Sequence, residues 1–281
     1  DTGLSGQLSA SDVDGDTLSF GLADSGGPEH GTIEIGEDGS YTYVPDQDYS
    51  GVDSFTYQVS DGEGGTDTAT ITLSVTAVAD NPVVIVSDET GAEDQWTQLH
   101  LGAQETDIDG SETLSVLITN VPEGATLSPG TNLGGGEWTV SPELLPSVCI
   151  LPPEDFNGDI DLNLAITSTE PNGDLATVDS DFTVSIEAVN DGPVPGATPE
   201  FTMNEDGTIT ISEAELLAGS SDVDGDTLSV TDLVVNDGNG TLTGPDADGN
   251  YTYAPDENFS GDVSLNYNVT DGQDSVPQTA D

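Results

Sequence analysis

The chain is 281 residues long and carries 55 Asp plus Glu, two His and neither Lys nor Arg, for a formal net charge of -55. Intramolecular ion pairs to Lys or Arg are therefore excluded, and so is electrostatic docking on nucleic acid or an anionic membrane, since both require basic patches. The counter-charge has to come from outside, and metal cations are the plain candidates.

The first element that raises the question is "SDVDGDTLS" at 11–19. Carboxylates at such spacing repel by about 1 kcal/mol per pair at ~5 Å in water, and by several times that where the effective dielectric is lower. The EF-hand reading fails: Gly15 is fourth rather than sixth, no Glu stands twelfth and no helix flanks the run. Zinc is unsuited, with one Cys and two scattered His. A hard cation such as calcium, taking six to eight oxygens, suits Asp side chains alternating around a Gly turn.

Acidity with 33% hydrophobic residues is compatible with disorder, but periodicity opposes it. "DSFTYQVSDG" places Phe55, Tyr57 and Val59 on one face, and "TATITLSV" does the same with Ala69, Ile71, Leu73 and Val75, the alternation of half-buried strands. A short polar run with proline, "TAVADNP" at 76–82, marks a boundary, and the acidic motif returns as "DIDGSETLS" at 107–115. Trp96 and Trp138 are open to two readings, a sugar-stacking platform or core and edge packing. "SPELLPSV" suits a helical turn with Ser141 as N-cap and Pro142 first in the helix. Cys149 stands among apolar residues as a small buried hydrophobe, and a single Cys forbids an intrachain disulfide.

Strands continue in "DIDLNLAITS" (Ile160, Leu162, Leu164, Ile166) and "DFTVSIEAV" (Phe182, Val184, Ile186), followed by a second boundary, "EAVNDGP" at 187–193. "SEAELLAG" is a second helical turn. "SDVDGDTLS" recurs letter for letter at 221–229, and "DVSLNYNVTDG" supplies a strand through Val263, Leu265, Tyr267 and Val269. "YTYVPDQDYSG" at 41–51 matches "YTYAPDENFSG" at 251–261, with "LPPEDFNG" at 151–158 a looser copy. The repeats predict an all-β chain of three tandem β-sandwich domains, 1–79, 80–189 and 190–281, set end to end as a rod. Relative to one another, the first domain is expected to lack a first strand and the last its closing strand, as in a piece of a longer array.

The stretches "NEDGTITISEAELLAGSSDVDGDTLSV", "GNYTYAPDENFSGDVSLNYNVTDG" and "VNDGP" resemble the cadherin-like and VCBS-type tandem repeats of large bacterial RTX adhesins, which are exported by type I secretion. That resemblance covers essentially the whole chain. It implies an extracellular place on a bacterial surface, a role in cell adhesion and biofilm, and calcium at domain junctions. Carried over by position, the first junction would use Asp80 and Asn81 from the linker, Asp107 and Asp109 from the loop, and Glu170, with Glu112 standing in where "DGSE" replaces "DGD". The second would use Asn190, Asp191, Asp222, Asp224, Asp226 and Asp271. Asp12, Asp14, Asp16 and Asp61 would form the corresponding half-site of the first domain. Glu93, Asp94, Glu205 and Asp206 match the glutamate that cadherin domains place near the first strand.

The acidity has a plainer reading as a solvated, halotolerant surface, but that would scatter carboxylates rather than gather them in the same loop of each repeat. A glycosidase needs two acids flanking a cleft; with acids throughout, spacing carries no information, and no enzymatic activity is expected. Two functions remain: a calcium-stiffened extender holding a distal binding domain away from the cell, or a module of which one domain, the middle one first, itself binds a carbohydrate or peptide. A monomer whose partners are the neighbouring repeats of its own chain fits the first.

Overall fold

A computed structural model describes residues 2–107, 110–236 and 238–281. By internal contacts the chain divides into two compact units, Asp1–Glu187 and Ala188–Asp281. Among the described residues no helix is long and apolar enough to cross a membrane.

The first unit opens with six strands: β1 (Leu4–Gln7), β2 (Ser19–Leu22), β3 (Gly31–Ile35), β4 (Ser40–Pro45), β5 (Gly51–Ser60) and β6 (Thr66–Val75). They form two antiparallel sheets, β1-β4-β3 and β2-β5-β6. Alternation along β5 turns Asp53, Phe55 and Tyr57 inward, and β6 pairs with all ten of its residues, from Gly51 opposite Val75 to Ser60 opposite Thr66. Leu8, Tyr43, Phe55, Tyr57 and Leu73 form the buried cluster between the sheets. Asp53 is buried with them, at 4% exposure. Its carboxylate accepts from the backbone N–H of Glu29 (3.1 Å), His30 (3.1 Å) and Ser54 (2.7 Å) and from the Tyr43 hydroxyl (2.9 Å).

The rest of this unit has its own buried cluster. Its strands are β7 (Val83–Ile85), β8 (Glu89–Ala92), β9 (Thr97–Gln98), β10 (Gly102–Gln104), β11 (Thr113–Thr119), β12 (Thr126–Ser128), β13 (Thr131–Gly134), β14 (Glu137–Thr139), β15 (Cys149–Leu151), β16 (Gly158–Thr169) and β17 (Leu175–Glu187). A six-stranded sheet, β13-β14-β11-β16-β17-β8, faces the smaller β12-β15-β9 and β10-β7 sheets. Its spine is the pairing of β16 with β17, and its edge strand β8 joins the end of β17 in parallel, Glu89–Ala92 against Val184–Glu187. Ile118, Leu164, Ile166, Val184 and Ile150 are fully buried here.

Three sequence expectations change in this segment. "PELLPS" forms a 3-10 helix, Pro142–Ser147, but Ser141 makes no side-chain capping bond. Cys149 is half-buried, not buried: Val148 and Ile150 on either side face the core, so strand alternation turns Cys149 the other way. Trp138 is in the core at 7% exposure while Trp96 is 50% exposed, so the two rings do not form a common exposed platform.

The second unit contains β18 (Ile209–Ser212), the single-turn helix α1 (Glu213–Leu216), β19 (Ser229–Val235), β20 (Gly240–Thr243), β21 (Asn250–Pro255), β22 (Leu265–Thr270) and β23 (Ser275–Ala280). Its sheets are β18-β21-β20 and β19-β22-β23, around Ile211, Leu216, Tyr251, Leu265, Tyr267 and Val269. Ser212 and Glu215 complete a capping box at α1. The closing strand expected to be missing is present: β23 pairs with β22 from Leu265 opposite Ala280 to Thr270 opposite Ser275. Pro277 hides it in the sequence, because proline within a run argues against a strand; β23 is the sheet edge, where proline is tolerated. Val263, expected in the strand, precedes β22.

Candidate metal-ligating acidic loops

Each acidic motif lies where a strand begins, beside the turn that ends its neighbour. In the first segment Ser19 pairs with Ser60, which brings the 11–17 loop and the 61–65 turn to one end of a sheet. Asp12 Oδ1 accepts from the backbone N–H of Asp14 (2.8 Å) and Asp16 (3.1 Å), and Asp61 Oδ1 from those of Glu63 (2.8 Å) and Gly65 (2.9 Å). One carboxylate oxygen thus organises each loop. The Asp16 and then the Asp14 N–H hold the Asp12 carboxyl below its ordinary pKa. Asp14 and Asp16 contribute backbone N–H to the loop while their side chains face solvent.

In the middle segment Thr113 pairs with Thr169, and the expected ligands converge. Carboxylate oxygens of Asp107, Glu112 and Glu170 lie within 4.8 Å of one another. Glu112 and Glu170 are each 5% exposed. The Ser111 hydroxyl lies 3.2 Å from Asp107 and 3.0 Å from Glu170 carboxylate oxygens, and the Asp80 backbone N–H donates to Glu112 Oε1 at 2.6 Å. Asn81 joins through its carbonyl oxygen, which accepts from Thr106 at 3.1 Å. Asp109 lies outside the described residues. The linker is also held by two further residues of the "STEPNGD" turn that carries Glu170: Asp174 accepts from the Ala79 N–H (3.0 Å), and the Asn172 side chain donates to the Ala77 carbonyl (2.7 Å).

Partial burial, then the charges of Asp48, Glu112 and Asp107, raise the pKa of Asp80. An acid raised in the folded state costs stability above its folded pKa, and that cost disappears as pH falls through it toward the ordinary value near 3.9. Asp80→Asn is accordingly expected to melt slightly higher than the parent in chelator, by at most about 4 °C because the group is solvent-screened. Calorimetry in EDTA checks this; a lower melting temperature would mean that Asp80 is not under repulsion.

The last segment repeats the first loop's arrangement. Asp222 Oδ1 accepts from the N–H of Asp224 (3.0 Å) and Asp226 (3.1 Å), and Asp226, like Asp16, turns its side chain to solvent. The Asp191 N–H donates to Asp224 Oδ2 at 2.8 Å. The Asn190 amide donates to Asp271 Oδ2 and Asp274 Oδ2, both at 3.0 Å, and its oxygen accepts from Gln273 at 2.6 Å. The Asp274 and Gln273 backbone N–H groups hold the Asp271 carboxyl below its ordinary range. Asp222 Oδ2 is buried with no hydrogen-bond partner. Asp274 was missed in the sequence, although "DGQD" carries a second acid three residues on.

Through their aspartates the two "ED" motifs also hold turns. Asp94 accepts from the Asp155 N–H (3.2 Å) and Asp206 from the Asn258 N–H (3.1 Å), pinning the equivalent turns of "EDFNG" and "ENFSG". Glu93 is buried at 2% exposure and Glu205 is exposed.

Residues 1–77 match the family model described as bacterial cadherin-like domain, and residues 189–281 that described as cadherin-like domain. Among curated proteins nothing matches. Among solved structures the chain is similar to protocadherin gamma B2 extracellular cadherin domains 1–5, at 12% identity and TM-score 0.48, over 96% of this chain and 52% of that one. Mouse cadherin-23 EC22–24 is similar at 16% identity and TM-score 0.47, covering 98% and 87%. An endo-fucoidan hydrolase of glycoside hydrolase family 107 follows at 17% identity and TM-score 0.26, covering 99% and 41%. The chain thus spans about half the length of the protocadherin. With each of these TM-scores under 0.5, the family rests on the sequence matches at residues 1–77 and 189–281.

Proposed function

We propose, for a chain that belongs to the bacterial cadherin-like repeats, that its work is mechanical: a calcium-stiffened extender segment of a large bacterial surface adhesin, projecting a distal binding domain from the cell. On this reading it comprises three sandwich domains, 1–79, 80–189 and 190–281, and works outside the cell as a monomer bounded by further repeats. Cadherin-like families are adhesion and extender modules rather than enzymes.

The observation that carries the reading is the Asp222 carboxylate: one oxygen orders the loop, while the other is buried with no hydrogen-bond partner in a chain without Lys or Arg. A buried carboxylate oxygen left so is costly, and a bound cation removes that cost. The donors around it are oxygens, which suits calcium rather than zinc. Asn190, Asp191, Asp222, Asp224 and Asp271 would hold one ion; Asp80, Asn81, Asp107, Glu112 and Glu170 would hold another. Bound calcium would supply charge neutralisation and a coordination cross-link between linker and loop. The protein's own contribution is the backbone N–H geometry that keeps each loop formed.

For dissociation constants near 10⁻⁴ M, about 1 mM calcium contributes roughly 1.4 kcal/mol per site. Melting in calcium is expected to exceed that in EDTA at equal ionic strength, and sodium should not restore the difference, since screening lacks coordination. Asp222→Asn with Asp224→Asn should weaken one site and leave the other titrating as before. Small-angle scattering should give a radius of gyration of about 35 Å in calcium, against about 19 Å for a single globule of this length. A value near 19 Å in calcium, or melting indifferent to EDTA, overturns the reading. The competing role, a middle domain that binds carbohydrate or peptide, retains only Trp96 as an exposed indole.

A further inference from the structure

The chain contains three Asn–Gly pairs, Asn157–Gly158, Asn172–Gly173 and Asn239–Gly240. Asparagine before glycine is thermolabile, because glycine has no side chain to keep its nitrogen away from the amide carbon of the residue before it. The fold treats the three pairs differently. Asn172 is held at both ends of its amide: Nδ2 donates to the Ala77 carbonyl at 2.7 Å and Oδ1 accepts from the Asp174 N–H at 2.8 Å. The Gly173 N–H is itself committed to the Glu170 carbonyl at 2.8 Å. Asn239 is half-buried, its carbonyl accepts from the Tyr253 hydroxyl, and Gly240 is crowded by the Ala254 carbonyl and the Tyr253 ring.

Asn157 has none of these restraints. It is exposed, directly before β16, and its amide has no hydrogen-bond partner among the described residues. Beside Gly158 only the Phe156 ring comes near, 3.7 Å from where a side chain would start, so the approach to its nitrogen is open. The equivalent turns of the other two repeats read "YSG" and "FSG", with Ser50 and Ser260 where "FNG" has Asn157. The labile residue therefore belongs to the middle segment alone.

We propose that Asn157–Gly158 is a self-modification site whose conversion loosens the middle segment. The Gly158 nitrogen bonds to Asn157 Cγ, the Cγ–Nδ2 bond breaks, and Nδ2 leaves as ammonia with the proton of the Gly158 N–H. Water then opens the cyclic imide at either carbonyl and leaves aspartate or isoaspartate; it is the only co-reactant, and nothing is oxidised or reduced. The product forms next to a row that joins three strands: Gly158 on β16 is opposite Ile186 on β17, and Ile186 is opposite Gly91 on β8. A new carboxylate there joins Asp155 and Asp159 in a chain with no Lys or Arg to offset it. In the isoaspartyl form the main chain also gains a methylene immediately before Gly158, which displaces Gly158 from Ile186.

The test incubates the full chain in warm, mildly alkaline buffer, folded or unfolded in urea, and maps its peptides by mass. In the folded chain the mass gain of an amide becoming an acid is expected at Asn157 at least about tenfold faster than at Asn172, which has to wait for local opening. Asn239 should also lag behind Asn157. In urea the three pairs, each followed by glycine, should convert at similar rates. Both tryptophans, Trp96 and Trp138, lie in the middle segment, so their fluorescence follows its melting. Chain converted at Asn157 should melt about 4–8 °C below fresh chain. Asn157→Ser, which carries the residue of the other two repeats, should keep its melting temperature through the same incubation. Conversion at Asn172 as fast as at Asn157 in the folded chain overturns the proposal. So does a melting temperature unmoved by conversion at Asn157, or an Asn157→Ser chain that softens on incubation as the parent does.

Discussion

Asp53→Ala is expected to lower the stability of the first segment by about 3–4 kcal/mol, a large effect for a single polar substitution. Three backbone N–H groups lose their acceptor together, and the Tyr43 hydroxyl is left with only the His30 carbonyl at 3.1 Å, in a place that water barely reaches. Each buried donor so stranded costs on the order of 1–3 kcal/mol, less whatever the loop at 29–30 recovers by opening to solvent. In a domain of this size the melting temperature should fall by at least about 12 °C, with faster amide exchange at Glu29, His30 and Ser54. Asp53→Asn keeps one acceptor oxygen and should lose less. Burial alone would raise the pKa of Asp53, but its hydrogen bonds, those from Ser54 and Tyr43 foremost, outweigh that and lower it. The sign follows: this stability is fully present above the ordinary value near 3.9 and is lost as pH falls through the folded pKa. The alanine variant should therefore lack that acid-dependent loss. If it melted like the parent at pH 7, the buried carboxylate would not be holding the loop.

The second large effect belongs to the middle segment. Leu164 is fully buried at the centre of the six-stranded sheet, paired with Ile118 on β11 and Ser180 on β17. Leu164→Ala removes three carbons and leaves a cavity between long, well-paired strands that cannot collapse easily. A loss of about 3–5 kcal/mol is expected, at the upper end for such changes. Denaturant unfolding followed by Trp138 fluorescence reports this segment, since Trp138 shares its core. A loss under about 1 kcal/mol would mean that the sheet repacks around the gap.

The strands were legible where alternation was clean. The apolar faces of 55–59, 71–75, 160–166 and 182–186 are those of β5, β6, β16 and β17, because a half-buried strand has one period; Ala69, expected on the same face of β6, is exposed. β23 was hidden by Pro277, which only edge placement permits, and β8 by its brevity and its parallel pairing with a strand almost a hundred residues away. The acidic loops were visible as repeats, yet the division of labour within them was not. That one oxygen of Asp12 and Asp222 is spent on the loop's own N–H groups depends on backbone conformation, and so does the convergence of Asp107 with Glu170, 63 residues apart in the chain. Asp53 reads as just another acid in a sequence with 55 of them; only the fold turns it inward.

In the middle segment the short strand β8, which follows the first strand β7, lies parallel to the end of the exit strand β17. Two strands so arranged leave the sheet in opposite directions, so tension that reaches them through the chain runs along them. The bonds between Glu89–Ala92 and Val184–Glu187 are then loaded in shear and strained together. In an antiparallel hairpin pulled from its open end, the same bonds would break in succession, each bearing the load alone. Four residue pairs thus act as a lock against stretching, set just behind the three pairs of β7 with β10.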